Sequence, residues 1–165
     1  MTEKNYNKIY NWFNADEKRL KIFKTIYKIL PYLVVLGYIA VIISELVTGE
    51  KEGILKVLLV PAVTFLLCTV MRKLINKKRP YEILNITPII KKDKKGQSFP
   101  SRHMLSASVI AVSALYVNNI FGAIMLILSI IVGIVRPIAG VHFVKDVIAG
   151  FTMGIICGMI GFYII

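Results

Sequence analysis

The sequence predicts an all-α integral membrane protein: a helical bundle of five transmembrane helices, preceded by an amphipathic helix at the membrane surface. Three observations lead there. Hydrophobic residues make up 56% of the 165 residues and the mean hydropathy is +0.69, both above what a soluble domain of this size carries. The 21 Lys and Arg outnumber the 9 Asp and Glu, for a formal charge of +12, an unusual excess in so apolar a chain. The apolar residues also fall into separate runs of near-membrane length, with the cations segregated between them.

Residues 1–30 alternate cations with Ile9, Trp12, Phe13, Leu20, Phe23, Ile26, Tyr27 and Leu30. That mixture suits a helix lying in the headgroup plane, the alternative being a solvated basic tail. The expected division is an interfacial helix over 1–30 and a transmembrane domain over 31–165. A sixth crossing would require that residues 1–30 hide one. So many charged and aromatic residues precede the first apolar run that no cleavable signal peptide is expected, and the first span stays as an anchor.

Five apolar runs follow, over 31–48, 54–71, 103–117, 120–135 and 147–165. At 1.5 Å rise per residue, about eighteen residues cover roughly 27 Å, close to the hydrocarbon thickness of a bilayer. The third and fourth are short, so their helices extend into the flanking residues and hold those at the membrane boundary. Asn118-Asn119 is the turn between them. Residues 72–102 form the longest polar stretch, with Lys91-Lys92-Asp93-Lys94-Lys95-Gly96 at its middle, and read as a loop on the membrane surface.

If five spans alternate, the amino terminus, the 72–102 loop and the 136–146 turn share one side. Nineteen of the 21 Lys and Arg then lie on that side, and only Lys51 and Lys56 lie opposite. The positive-inside rule makes this the cytoplasmic side of a multi-pass protein in the cell membrane. Nucleic-acid binding is not expected, because the cations flank membrane-length segments where a soluble basic face is needed. Cys68 and Cys157 lie inside apolar runs without metal-ligand spacing and read as small buried hydrophobes.

The chain has two histidines, and both stand in basic, turn-breaking frames at the ends of apolar runs. Arg72 and Arg79 are seven residues apart, nearly two helical turns, so a continued second helix projects both guanidinium groups from one face until Pro80 ends it. Paired guanidiniums recognise phosphate through planar, bidentate donors. Phe99-Pro100-Ser101-Arg102-His103 opens the third span. There Ser101 can cap, the first-turn N–H groups point at any bound anion, Arg102 adds positive charge and His103 can give a proton to a leaving oxygen. Arg136-Pro137 closes the fourth span, Gly140 allows a sharp turn, and His142 is expected in the first turn of the fifth. Asp146 at i+4 lies on the same helix face, where it can hold one ring-nitrogen proton and leave the other nitrogen free to attack. Apart from Glu45 in the first span, Asp146 is the only acid near an apolar core, and an ionisable residue at such depth points to function.

Together, Arg72-x6-Arg79-Pro80, Pro100-Ser101-Arg102-His103 and Val135-Arg136-x5-His142-x3-Asp146 resemble the three motifs of the type-2 phosphatidic acid phosphatase family, the lipid phosphate phosphatases related to vanadium-dependent haloperoxidases. The family pattern is Lys-x6-Arg-Pro, Pro-Ser-Gly-His and Ser-Arg-x5-His-x3-Asp, and order and spacing agree across residues 72–146. The resemblance implies that His142 attacks phosphorus to form a phosphohistidine, that Asp146 orients it and that His103 protonates the leaving group. It implies a phosphate cradle of Arg72, Arg79, Ser101, Arg102 and Arg136, and no metal or other cofactor. The sequence fits that, having no cluster of carboxylates to hold magnesium. Three positions depart: Arg72 stands at the lysine position with Lys73 one step out of register, Arg102 replaces the glycine, and Val135 replaces the serine. Five spans are also fewer than the six of many members.

The expected function is hydrolysis of a phosphomonoester or pyrophosphate of a membrane lipid: phosphatidate, phosphatidylglycerol phosphate or polyprenyl pyrophosphate. A phosphotransferase that passes the phosphoryl group to an acceptor other than water is the close alternative. A non-catalytic module that binds anionic lipid headgroups is the distant one, and it leaves His142-x3-Asp146 unexplained.

Overall fold

The computed structural model describes residues 2–48 and 51–165. Among the described residues seven helices follow one another: α1 (Glu3–Asn14), α2 (Glu17–Thr48), α3 (Lys51–Ile75), α4 (Pro80–Ile83), α5 (Arg102–Val117), α6 (Asn119–Ile138) and α7 (Val144–Tyr163). The five apolar runs correspond to α2, α3, α5, α6 and α7. The stretches Glu17–Thr48, Lys51–Ile83, Asn119–Ile138 and Val144–Tyr163 are long and apolar enough to cross a membrane, and α5, at 16 residues, is shorter.

The amino-terminal region differs from the expected single surface helix. It is a 12-residue α1 followed by a corner, after which one 32-residue helix runs on through the first span. The break falls at Asp16, whose carboxylate accepts the N–H groups of Lys18 (2.9 Å) and Arg19 (3.2 Å) and so caps α2. No break occurs at residue 31, because Pro31 is carried inside the helix. At the corner Arg19 stacks 3.8 Å over the exposed Trp12 ring. The inner face of α1 docks on the polar loop. Tyr6, fully buried, donates its hydroxyl to Thr87 O (3.3 Å) and accepts from Ile89 N (3.0 Å).

α5 sits at the centre. Met104, Leu105, Ala107 through Ala114 are buried almost without interruption, and α5 packs on α6 and α7 most extensively and on α2 and α3 as well. Small residues make this possible. On α7, Gly150, Gly154 and Gly158 recur every four residues on the face toward α5, and a Cβ at Gly150 would stand 2.5 Å from Ser101 O, one at Gly154 2.6 Å from Leu105 O. Such spacing lets helix backbones approach closely, the main source of packing energy where lipid removes the hydrophobic drive. Asn118 alone joins α5 to α6, and its side chain accepts from Phe121 N at 3.0 Å.

α2 and α3 are stitched across a proline. Pro61 has no N–H to offer the carbonyl of Val57, one turn earlier, and the Tyr38 hydroxyl of α2 donates to that oxygen at 2.8 Å.

Candidate active site

The three polar segments meet at one end of the bundle, formed by the C-terminal end of α3, the loop to α5, the start of α5 and the turn between α6 and α7. Arg72, Arg79, Arg136, His142 and Asp146 are all buried there, as are Ser98 and Ser101. Arg72 points inward and Lys73 is exposed, so the helical phase of α3 sends Arg72 toward the site.

Arg72 ties α3 to the start of α5, its Nη1 donating to Pro100 O at 2.5 Å. Arg79 bridges the loop and the α6–α7 turn through Nε to Gly96 O (3.0 Å) and Nη1 to Val141 O (3.2 Å). Glu82 closes the loop from behind, its carboxylate accepting Arg79 N (2.7 Å) and Gly96 N (2.8 Å). Gly140 makes the sharp turn before His142 with φ +78°, and a Cβ there would meet the Tyr6 hydroxyl at 2.5 Å. Arg136 donates to the Tyr27 hydroxyl at 2.6 Å and lies 4.4 Å from the centroid of that ring.

His142 lies in the turn, two residues before α7 begins at Val144, and not in the first turn of the last helix as the spacing alone suggests. The Asp146 carboxylate therefore reaches it differently. Its Oδ2 is 3.9 Å from His142 Nδ1, too far for a hydrogen bond. The same oxygen accepts from Ser98 Oγ (2.5 Å) and from Phe143 N (3.0 Å), and Oδ1 accepts from Lys77 Nζ (3.1 Å). Ser98 Oγ stands 3.5 Å from His142 Nδ1, between acid and imidazole. Burial pushes the His142 pKa well below 6.5, and the positive charge of Arg79, Arg72 and Arg136 pushes it the same way. The ring is neutral at physiological pH.

Ser101 occupies the position before α5, yet its side chain makes no capping bond, contrary to the expectation from sequence. Its hydroxyl is fully buried and has no partner, while its N–H is taken by Asp146 O at 2.8 Å. His103 and Arg102 are half-buried at the start of α5, and the Arg102 guanidinium lies 5.1 Å from the Phe65 ring.

His103 and Arg136 line a cavity of about 210 Å³ between α2, α3 and α5, whose other walls include Val34, Val35, Phe65 and Ile110. A second cavity of about 420 Å³, lined by Phe65, Ser106 and Ile110 together with Tyr38 and Pro61, continues it along the bundle. An apolar path thus leads from the histidine into the membrane-spanning region.

Lys77 and Ser98 were not reachable from spacing. Lys77 meets Asp146 across 69 residues and Ser98 meets it across 48, and neither falls in a motif position that the chemistry singles out.

Three buried guanidiniums, one buried carboxylate, an unpartnered hydroxyl and a neutral imidazole thus meet at one end of a membrane-spanning bundle. The sequence profile of the PAP2 superfamily matches residues 53–165, and the chain belongs to that superfamily. LpxE from Aquifex aeolicus is similar in structure, with a TM-score of 0.72 and 26% identity over 96% of this chain and 92% of that one. The first transmembrane PAP2 type phosphatidylglycerolphosphate phosphatase from Bacillus subtilis shares the fold, with a TM-score of 0.70 and 24% identity over 88% of this chain and 76% of that one. No curated protein sequence matches the chain.

Proposed function

We propose that this protein is a membrane lipid phosphatase that hydrolyses a phosphomonoester or pyrophosphate through a phosphohistidine, without a metal. The observation that carries this is the surplus of buried positive charge: Arg72, Arg79 and Arg136 face a single buried carboxylate, Asp146, which Lys77 already neutralises. These guanidiniums have carbonyl and hydroxyl acceptors but no matching negative charge, and buried charge without counter-charge is costly, so a surplus of this kind favours a site that takes an anion. Similarity to LpxE and to the Bacillus subtilis phosphatase supports the reading, and the apolar path from His103 fits a lipid chain.

In this reading the cradle is Arg72, Arg79, Arg102 and Arg136 with the Ser101 hydroxyl, and Lys73 takes no part because it points outward. The cations stabilise charge on the equatorial oxygens of the transferring phosphoryl group. With His142 Nδ1–H directed at Ser98, Nε2 carries the lone pair that attacks phosphorus. The P–O bond to the leaving group breaks, and that oxygen takes a proton from His103. Water then attacks the phosphohistidine, gives its proton back to His103, and the P–N bond breaks to release phosphate. Asp146 and Lys77 have no direct contact with the reacting atoms and act by positioning, through Ser98.

We further read α1 as lying in the headgroup plane, with Trp12 exposed at its corner, and the site as opening to the cytoplasmic side of the cell membrane, given nineteen Lys and Arg at that end against two at the other.

Phosphate release from a panel of lipid phosphates in detergent with excess chelator tests the proposal. Wild type is expected to release phosphate and His142→Ala to lose at least a thousandfold. Equal release by the two proteins would overturn the nucleophile, and abolition by chelator would overturn the metal-free route. Product analysis with added alcohol acceptors separates hydrolysis from transfer.

A further inference from the structure

Tyr6 is the one buried residue of α1, and it is buried against the turn that carries His142. A Cβ built on Gly140, two residues before His142, would stand 2.5 Å from the Tyr6 hydroxyl and 2.8 Å from the ring carbon that bears it, so the ring packs directly on the turn backbone. The hydroxyl ties down the loop beside that turn. It donates to Thr87 O (3.3 Å) and accepts from Ile89 N (3.0 Å), and the next residue, Ile90, donates its N–H to Ala139 O (3.4 Å). Burial pushes the Tyr6 pKa up to about 12, so the hydroxyl keeps its proton and donates throughout the ordinary pH range.

α1 is itself braced. At its start Glu3 accepts from Asn85 N (3.4 Å), and at its end Phe13 packs on Phe23 of α2 with ring centroids 4.6 Å apart. His142 needs such support, because it precedes α7 and has no helix to hold it. Its ring has one polar contact within 3.5 Å, Ser98 Oγ, at the limit of a hydrogen bond. The direction of the imidazole is therefore set by the backbone of residues 139–142, and an attacking atom must be held within a fraction of an ångström of its line of approach. On the phosphatase reading, which gives His142 its task, we propose that Tyr6 is a positioning residue for the nucleophile: from α1, ahead of the residues that the superfamily profile matches, it holds the 139–142 turn so that His142 Nε2 faces the phosphoryl group. A side chain that only filled space would do so equally well without its hydroxyl.

The experiment uses the full chain in neutral detergent, ¹⁵N-labelled at histidine, with whichever of phosphatidate, phosphatidylglycerol phosphate and a polyprenyl diphosphate wild type cleaves fastest. Tyr6→Phe keeps the ring and removes both hydrogen bonds. It is expected to lower kcat about tenfold, the value of one hydrogen bond, with KM changed by less than about twofold. It is also expected to move the ring-nitrogen signals of His142 while those of His103 stay in place. Tyr6→Ala lowers kcat further and moves the same signals further. Tyr10→Phe, one turn along α1, changes neither. A tyrosine that only supports the fold gives a different result: both histidines keep their wild-type signals at reduced intensity, beside those of unfolded chain, and kcat per folded molecule is unchanged. That result overturns the proposal, as do an unchanged kcat or unmoved His142 signals in Tyr6→Phe, equal displacement of both histidines, or an equal effect of Tyr10→Phe. If wild type releases phosphate from none of the three lipids, the phosphatase reading fails, and the His142 signals alone decide whether Tyr6 holds the turn.

Discussion

Ser98 and Asp146 are joined by a 2.5 Å hydrogen bond, and that bond places a hydroxyl between the carboxylate and the His142 ring. The acid and the imidazole are four residues apart in sequence but 3.9 Å apart in space, so the connection runs through a residue from the far end of the polar loop. With its own proton given to Asp146, Ser98 Oγ has lone pairs to accept from His142 Nδ1–H. On the phosphatase reading, a proton held there on Nδ1 leaves Nε2 free to attack.

Ser98→Ala is therefore expected to lower kcat about tenfold, the value of one hydrogen bond of about 1.4 kcal/mol, while Ser98→Thr keeps the hydroxyl and most of the rate. Combined with Asp146→Asn, the loss should be less than the product of the single losses, since both changes cut one connection. Multiplicative losses would show that Asp146 acts on His142 without Ser98.

Lys77 neutralises a carboxylate that is itself fully buried, with its own side chain 28% exposed. Lys77→Met leaves Asp146 charged and short of a donor, and we expect about 2 kcal/mol of lost stability, seen as a lower thermal midpoint in detergent. Adding Asp146→Asn should restore most of it. A midpoint unchanged in the single variant would mean that water replaces the ammonium at no cost.

The low pKa of His142 has a measurable sign. In the unfolded chain the ring binds a proton near pH 6.5, and in the folded chain only well below that. Between the two values the unfolded state holds more protons, so stability falls as pH drops below 6.5 and is flat above it with respect to this group. With two histidines in the chain, ¹⁵N-histidine labelling gives two ring systems, and His103→Asn assigns them. His142 should stay neutral through pH 6; a midpoint at or above 6.5 would contradict the buried, cation-flanked setting.

The glycine ladder of α7 separates effects on the site from effects on the fold. Gly150→Ala drives a Cβ against the Ser101 carbonyl and should displace the start of α5, cutting activity more than stability. Gly158→Ala meets the Val112 side chain, far from the site, and should lower stability with little change in kcat. Equal effects of the two on kcat would argue against Ser101 as a contact of the phosphoryl group.

Sidedness is open to direct chemistry. In a Cys68→Ala/Cys157→Ala background, an impermeant thiol reagent applied to intact cells should label Glu52→Cys and spare Lys94→Cys. The reverse pattern would turn the site to the outer face.

Much of this arrangement was legible in the sequence. The five helices of the bundle follow the apolar runs, and the Arg, Ser and His positions gather at one end because their spacings are set by helix ends and turns. What was hidden depended on distance along the chain. The change from mixed to apolar residues at 30–31 reads as a boundary, but the preceding residues are capped at Asp16 and continue into the span, so the first helix starts fourteen residues earlier than its hydropathy suggests. Lys77 and Ser98 become site residues only when the loop folds back over α7, and the polar composition of that loop gives no reason to single them out from its neighbours.

The burial of α5 has a consequence for how the protein is made. At 16 residues it is the shortest helix of the bundle, and it is surrounded by other helices over most of its length. Its residence in the bilayer is then a property of the assembled bundle and not of its own affinity for lipid. With one residue, Asn118, between it and the strongly apolar α6, the two helices are expected to enter the membrane as a hairpin. The segment that carries His103 and the Ser101 hydroxyl packs against α7, which supplies Asp146, so the site is complete only when the last helix is in place.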